Sequence, residues 1–200
     1  MSTANEWHSG NVSLYLGDCL EVLATLEAGS VDAIIADLPY VKTQCAWDSA
    51  IALEPLWEQY ERTIKPQAAV VLFGVQPFTS MLVMSRLEWF KYEIVWRKSR
   101  STGHLNCKMM PLRQHENLLV FGQNRITYNP QIVTKPKRDR RPLRKYKASE
   151  CYGAYSEDAE RTIPQDMSYP RSILDIPSTN HGEIGLHPTQ KPVALLEYLV

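Results

Sequence analysis

Apolar spacing divides the first 122 residues into short elements. From Asn11 to Gly17, Val12, Leu14 and Leu16 fall on one face, the period of a strand. Asp18-x-x-Glu21 then has the form of a capping box, and Leu20, Leu23 and Leu26 share a helical face that stops near Gly29. Val31-Asp-Ala-Ile-Ile-Ala36 is a short apolar run, the pattern of a strand covered on both faces. Leu53, Leu56, Trp57, Tyr60 and Ile64 predict a helix ended by Pro66. Ala68–Phe73 predicts another strand, Pro77 opens a helix through Leu87, and Tyr92–Trp96 and Asn117–Phe121 predict two more strands. Strands alternating with helices at this spacing predict an α/β fold with a doubly wound, mostly parallel, Rossmann-like sheet.

After Gly122 the periodicity lapses. Residues 123–185 are rich in Pro, Arg, Lys, Ser and Tyr, with weak strand signals only at Arg125–Tyr128 and Ser172–Ile176. A loop of this length inside a compact domain is usually functional or disordered. Regular spacing returns at Lys191, where Pro192 opens a helix running to Val200.

Composition narrows the class. Two hundred residues with 44% hydrophobic content fit one globular domain with a sizeable core, with room for a small lobe. No apolar run is long enough to span a membrane, and Met1–His8 lacks a secretory apolar segment. Cys19, Cys45, Cys107 and Cys151 are widely spaced and form no zinc-ligand set; they read as reduced thiols in a cytoplasmic protein. The net charge of zero hides an asymmetry. Lys135, Lys137, Arg138, Arg140, Arg141, Arg144, Lys145 and Lys147 stand against Asp139 alone, in a stretch that either faces phosphates or forms a solvated loop.

Four positions carry candidate chemistry. Asp37-Leu-Pro-Tyr40 follows the Val31–Ala36 strand directly, and ligands of open α/β sheets bind beyond the carboxyl ends of strands. Asp37 can accept hydrogen bonds from an amino group, Pro39 fixes the direction of the turn carbonyls, and Tyr40 offers a face for a planar ring. Asp18, at the end of the first predicted strand, would share that rim and hold a ribose or adenine edge, or else act as a helix N-cap. His187-Pro-Thr-Gln-Lys-Pro192 sets hydroxyl, amide and ammonium donors before a helix start, which suits a carboxylate. His115-Glu116 precedes a strand, where the pair is either structural or catalytic.

In order, these elements resemble the amino-group DNA methyltransferases of the permuted β class, and in particular the small phage and prophage adenine enzymes. The resemblance runs from about Val12 to Val200 and rests on GDCLEVL, VDAIIADLPY, Trp47-Asp48, EPLWEQY, IKPQAAVVLFG, HENLLVF and HPTQKPVALLEYL. It implies a catalytic α/β core over 1–122, a DNA target-recognition segment over 123–186 and the start of the cofactor-binding half over 187–200. It also implies S-adenosylmethionine as cofactor and double-stranded DNA as partner; a homodimer is compatible with it.

Residue by residue, Asp37 and the Leu38 carbonyl would grip the amino group of a flipped base, with Tyr40 stacked on it and Pro39 shaping the turn. Asp18 and Asp37 would lie by the cofactor, and Thr189, Gln190 and Lys191 would hold its methionine end. The cations at 135–145, with Arg97, Lys98 and Arg100 on the rim after the Trp96 strand, would contact DNA; surface ion pairing is the alternative for the last three. Asp at position 37, where cytosine enzymes more often carry Ser, favours adenine. Two substitutions depart from the family pattern: Leu38 stands for the commoner Pro, and Val41 for a Gly. No glycine-rich F-x-G-x-G turn follows the last helix, so a fragment or a natural truncation is expected. The competing expectations are a non-catalytic DNA-binding remnant, half of a split enzyme, or a methyltransferase acting on RNA or small molecules.

Overall fold

Two strands buried on both faces, β4 (Ile64–Gly74) and β6 (Arg113–Phe121), organise the molecule. The structure, a computed structural model, describes residues 5–40, 51–135, 164, 166–178 and 190–200. By packing, the chain divides into one unit of Met1–Thr127 with Ser172–Val200 and a second of Tyr128–Arg171.

The first unit holds a five-stranded sheet in the order β3-β4-β6-β5-β9, with β3 at Val31–Ala36, β5 at Phe90–Thr102 and β9 at Ile173–Asp175. Along β4, Val70 and Leu72 face one way, against α1 (Cys19–Thr25), α2 (Leu53–Thr63) and α3 (Phe78–Ser85). Val71 and Phe73 face the other way, against Leu195 of α4 (Val193–Leu199). β6 repeats the alternation, with Leu119 and Phe121 on the first face and Leu118 and Val120 on the second. Helices on both faces of a sheet give the doubly wound α/β class that the alternating elements predict.

The sheet itself is mixed. β3 with β4 and β5 with β9 are parallel pairs, whereas β6 runs antiparallel to both β4 and β5. The reason lies in connectivity. β5 and β6 are joined by the short stretch 103–112, too little chain for a parallel crossover, so they close as a hairpin.

Three details correct the elements read from periodicity. Val12–Leu16 (β2) is a strand, but it belongs to a separate ribbon with β1 (Asn5–Ser9), not to the central sheet. Only Gly10 and Asn11 separate the two strands; Gly10 has φ +56°, the left-handed conformation that tight hairpin turns favour. The alternating face of β2 is consequently exposed, Leu16 to 74%. Helix α2 ends at Thr63, and Pro66 lies inside β4, where the register against β3 jumps between Val31↔Ile64 and Ala33↔Ala69. A residue without an N–H is tolerated at such an irregularity. Finally, Arg125–Tyr128 forms no strand. Thr127 instead donates its N–H to the Gln67 carbonyl at 2.9 Å, and Ile173–Asp175 joins the central sheet.

Helix ends are held by specific groups. Asp18 Oδ1 accepts from the N–H of Leu20 at 2.8 Å and of Glu21 at 3.4 Å, the N-cap role among the two readings of this residue. At the other end, the Arg62 guanidinium donates to the carbonyls of Leu23 (2.6 Å), which also accepts the Leu26 N–H, and of Leu26 (2.8 Å). Asp18→Ala is expected to lower stability by about 1 kcal/mol, and Asp18→Asn to restore most of it. Urea denaturation checks this, and equal losses in both variants would dismiss the cap.

In the second unit, β7 (Val133–Thr134) pairs antiparallel with β8 (Met167–Ser168), and the Lys135 N–H donates to the Asp166 carbonyl at 2.7 Å. Lys137, Arg138, Arg140, Arg141, Arg144, Lys145 and Lys147 lie outside the described residues, as do Cys45, Trp47, Asp48, Cys151, His187 and Thr189. No helix among the described residues is long and apolar enough to cross a membrane.

Candidate active site

Strand parity sets the site. Ile35 of β3, Phe73 of β4 and Leu118 of β6 all face α4, and two residues beyond Ile35 or before Leu118 the same parity brings Asp37 and Glu116 to that side. Glu116 is paired in register with Trp96 and stands just past Asn117, the partner of Gly74 at the end of β4. Both carboxylates therefore reach the carboxyl-end rim of the parallel pair β3–β4, the edge where open α/β sheets bind ligands.

Asp37 is held at both oxygens. The Tyr40 hydroxyl donates to Oδ1 at 2.8 Å, and the Lys191 ammonium donates to Oδ2 at 2.6 Å. The Lys191 side chain is only 12% exposed; its Nζ lies 5.9 Å from the Tyr40 ring centre and 5.1 Å from that of Phe73, both within cation–π range. Tyr40 also packs on Phe78, with ring centres 5.5 Å apart. Burial, and after it the charge of Asp37, keeps the Tyr40 phenol protonated far above its usual range. Leu38 is buried in the core cluster with Leu56, Phe78 and Leu82, so this side chain pins the turn from beneath.

A second carboxylate backs the first. Glu116 is buried; its Oε1 takes an ion pair from Lys98, and its Oε2 lies 3.6 Å from Lys191 Nζ. Lys98, Glu116, Lys191 and Asp37 thus form an alternating row of charges that sums to zero. A lone buried charge would be expensive, and the pairing removes that cost.

The residues singled out in the sequence distribute unevenly. Asp37, Leu38, Pro39, Tyr40 and Lys191 come together, with Gln190 adjacent in the chain. Asp18 caps α1. Arg97, Lys98 and Arg100 do not follow a finished strand, because β5 continues to Thr102. Arg97 makes a two-pronged pair with Asp175 of β9, its Nη2 2.7 Å from Oδ2, and Lys98 is committed to Glu116. These two fill the ion-pair alternative, while Arg100 is exposed. Cys19 is raised above the ordinary thiol range by burial and by Asp18, the opposite of an activated nucleophile. Glu116, singled out with His115 as either structural or catalytic, joins this charge row, and extending the alternation of Leu118 and Val120 back by two residues puts it on a buried face; Phe73 was not singled out.

A family model described as DNA methylase matches residues 31–200, from β3 to the end of α4. The chain belongs to the DNA methylase family. Among solved structures, this methylase is similar in fold to M1.HpyAVI, solved in complex with S-adenosylmethionine (TM-score 0.52, 22% identity, 92% of this chain and 72% of that one). It also resembles the cytosine-N4-specific PvuII DNA methyltransferase (TM-score 0.59, 12% identity, 92% and 67%). A third similar structure is TTHA0409 of Thermus thermophilus (TM-score 0.50, 20% identity, 92% and 71%).

Proposed function

We propose that this methylase transfers a methyl group from S-adenosylmethionine to the exocyclic amino group of an adenine extruded from duplex DNA. The observation that carries the reading is the Asp37 carboxylate on the strand-end rim beside Tyr40, in a chain of the DNA methylase family. The donor set fits the cofactor: an ammonium for a carboxylate at Lys191, carboxylates for the α-amino and sulfonium charges, and aromatic faces at Tyr40 and Phe73. Lys191 would hold the methionine end with Thr189 and Gln190, and Asp18 would lie towards the adenosine end. When bound, the cofactor supplies an electrophilic methyl on a sulfonium sulfur.

The chain's own residues do the rest by positioning and electrostatics. An adenine amino nitrogen is a poor nucleophile because its lone pair is delocalised into the ring. Asp37 and the Leu38 carbonyl accept its two N–H bonds, favour a pyramidal nitrogen and stabilise the positive charge that grows on it. Tyr40 stacks on the base and offsets part of the extrusion cost of about a few kcal/mol. Arg100 and the cations from Lys135 to Lys145 contact the phosphates. No covalent enzyme intermediate is needed. The acid at position 37 is the basis for choosing adenine over cytosine.

The test is methyl transfer by the full chain to duplex DNA of mixed sequence, with labelled S-adenosylmethionine and mass analysis of the released nucleosides. Methylated adenosine with the label on its amino nitrogen is the expected product. Label on cytosine alone would overturn the choice of base, and label on neither would overturn the reading.

A further inference from the structure

Each oxygen of Asp37 already accepts one hydrogen bond, from Tyr40 and from Lys191, and the Lys191 ammonium neutralises the carboxylate that should face the base amino group. Lone pairs remain on both oxygens for a further donor, but the carboxylate acts as a full anion only once Lys191 moves off it. Tyr40 is tied to the turn by sequence and to Phe78 by packing. Lys191 has four rotatable bonds, and a second carboxylate stands within its reach. Glu116 Oε2 is fully buried and has no hydrogen-bond partner among the described residues; it lies 3.6 Å from Lys191 Nζ, just beyond hydrogen-bond distance. A buried acceptor left unsatisfied costs free energy, so its retention calls for an explanation.

We infer that Glu116 is a positioning residue that provides a second seat for the Lys191 ammonium. With the base absent, Lys191 sits on Asp37; as the amino group arrives, Lys191 shifts by about one ångström onto Glu116 Oε2 and Asp37 is freed as a full anion. The shift makes and breaks no covalent bond and moves no proton. Before it, Lys191 neutralises Asp37 while Glu116 Oε2 is left without a hydrogen bond. After it, Glu116 gains that hydrogen bond, and the anion at Asp37 faces the nitrogen on which positive charge develops. Lys98, paired with Oε1, fixes the Glu116 carboxylate so that the seat is preformed. The inference rests on the reading of Asp37 as the group that holds the substrate amine.

Two measurements test it. The first is the crystal structure of the full-length Asp37→Ala variant, in which Lys191 Nζ is expected at hydrogen-bond distance from Glu116 Oε2. An ammonium that stays away from Glu116 overturns the proposal, whether or not the protein methylates anything. The second is kcat for Glu116→Gln in the wild-type and Lys191→Met backgrounds, at S-adenosylmethionine concentrations shown by isothermal titration to saturate each, so that a lost cofactor contact is kept apart from a lost seat. Glu116→Gln is expected to lower kcat on the order of tenfold when Lys191 is present, the size a coupled pair of contacting groups commonly carries, and to have almost no effect once Lys191 is gone. Equal losses in both backgrounds mean that Glu116 serves only the fold or Lys98, and the second-seat role is overturned. Should wild type transfer no methyl group at all, the functional reading fails and the Asp37→Ala structure still decides the seat.

Discussion

Asp37→Ala is expected to reduce methyl transfer by about a thousandfold or more while leaving DNA affinity in place. The size follows from the task. A carboxylate that faces a nitrogen acquiring positive charge acts mainly in the transition state, so its removal falls on kcat and not on ground-state binding. Folding is not the confounding factor. The Asp37 side chain is 38% exposed, and its pair with Lys191 is backed by Glu116, so the ammonium left behind keeps a counter-ion. Parallel measurements of labelled methyl incorporation and of DNA binding by fluorescence anisotropy separate the two effects. Retained turnover in this variant would remove Asp37 from the chemistry.

The largest expected loss of stability lies elsewhere, at Trp57. This side chain is 2% exposed and sits at the centre of an aromatic cluster, with ring centres 5.0 Å from Phe121, 5.8 Å from Tyr60 and 6.0 Å from Trp89. Its indole N–H donates to the Ser85 hydroxyl at 2.8 Å, tying α2 to the end of α3. Trp57→Ala deletes that bond and opens a cavity between the helices and the sheet. A cost of about 3–5 kcal/mol is expected, a large share of the roughly 5–15 kcal/mol that separates folded from unfolded domains. Leu16→Ala, on the exposed face of β2, is expected within about 0.5 kcal/mol of wild type. Urea denaturation of the two variants reads the contrast. Similar midpoints for both would mean that the aromatic cluster does not hold the fold.

The same physics explains which features could be read from residues alone. Period-2 and period-3.6 patterns are local, so β4, β6 and α2 were legible where both faces, or one full stripe, had to be buried, and β3 from its apolar run although the strand is only half-buried. Asn5–Ser9 has Trp7 as its one large apolar residue and so carries no such pattern, and β1 was missed for that reason. The run at Ile173–Asp175 gave only a weak signal, since an edge strand of three residues offers one buried side chain, Leu174. Strand direction was not legible either. It depends on the 103–112 connection closing as a hairpin, which apolar spacing does not encode. At the site, Asp37 and Tyr40 stood out because they follow their strand directly, and Asp18 was readable as a cap because its partners are two and three residues away. The pairs that decide the charge balance are distant in sequence. Arg97 meets Asp175 across 78 positions, and Lys98 meets Glu116 only because β5 and β6 share a register.

The bond from Lys191 to Asp37 spans 154 positions of the chain. Contacts so remote form late, after the loop-closure entropy of the intervening segment has been overcome, and a polypeptide emerging from the ribosome meets its early parts first. Strands β3 to β6 can therefore assemble as scaffold while Asp37 still lacks its cation. A nascent methylase would pass through a stage with the sheet framework in place and the Asp37 carboxylate unmatched, until α4 docks.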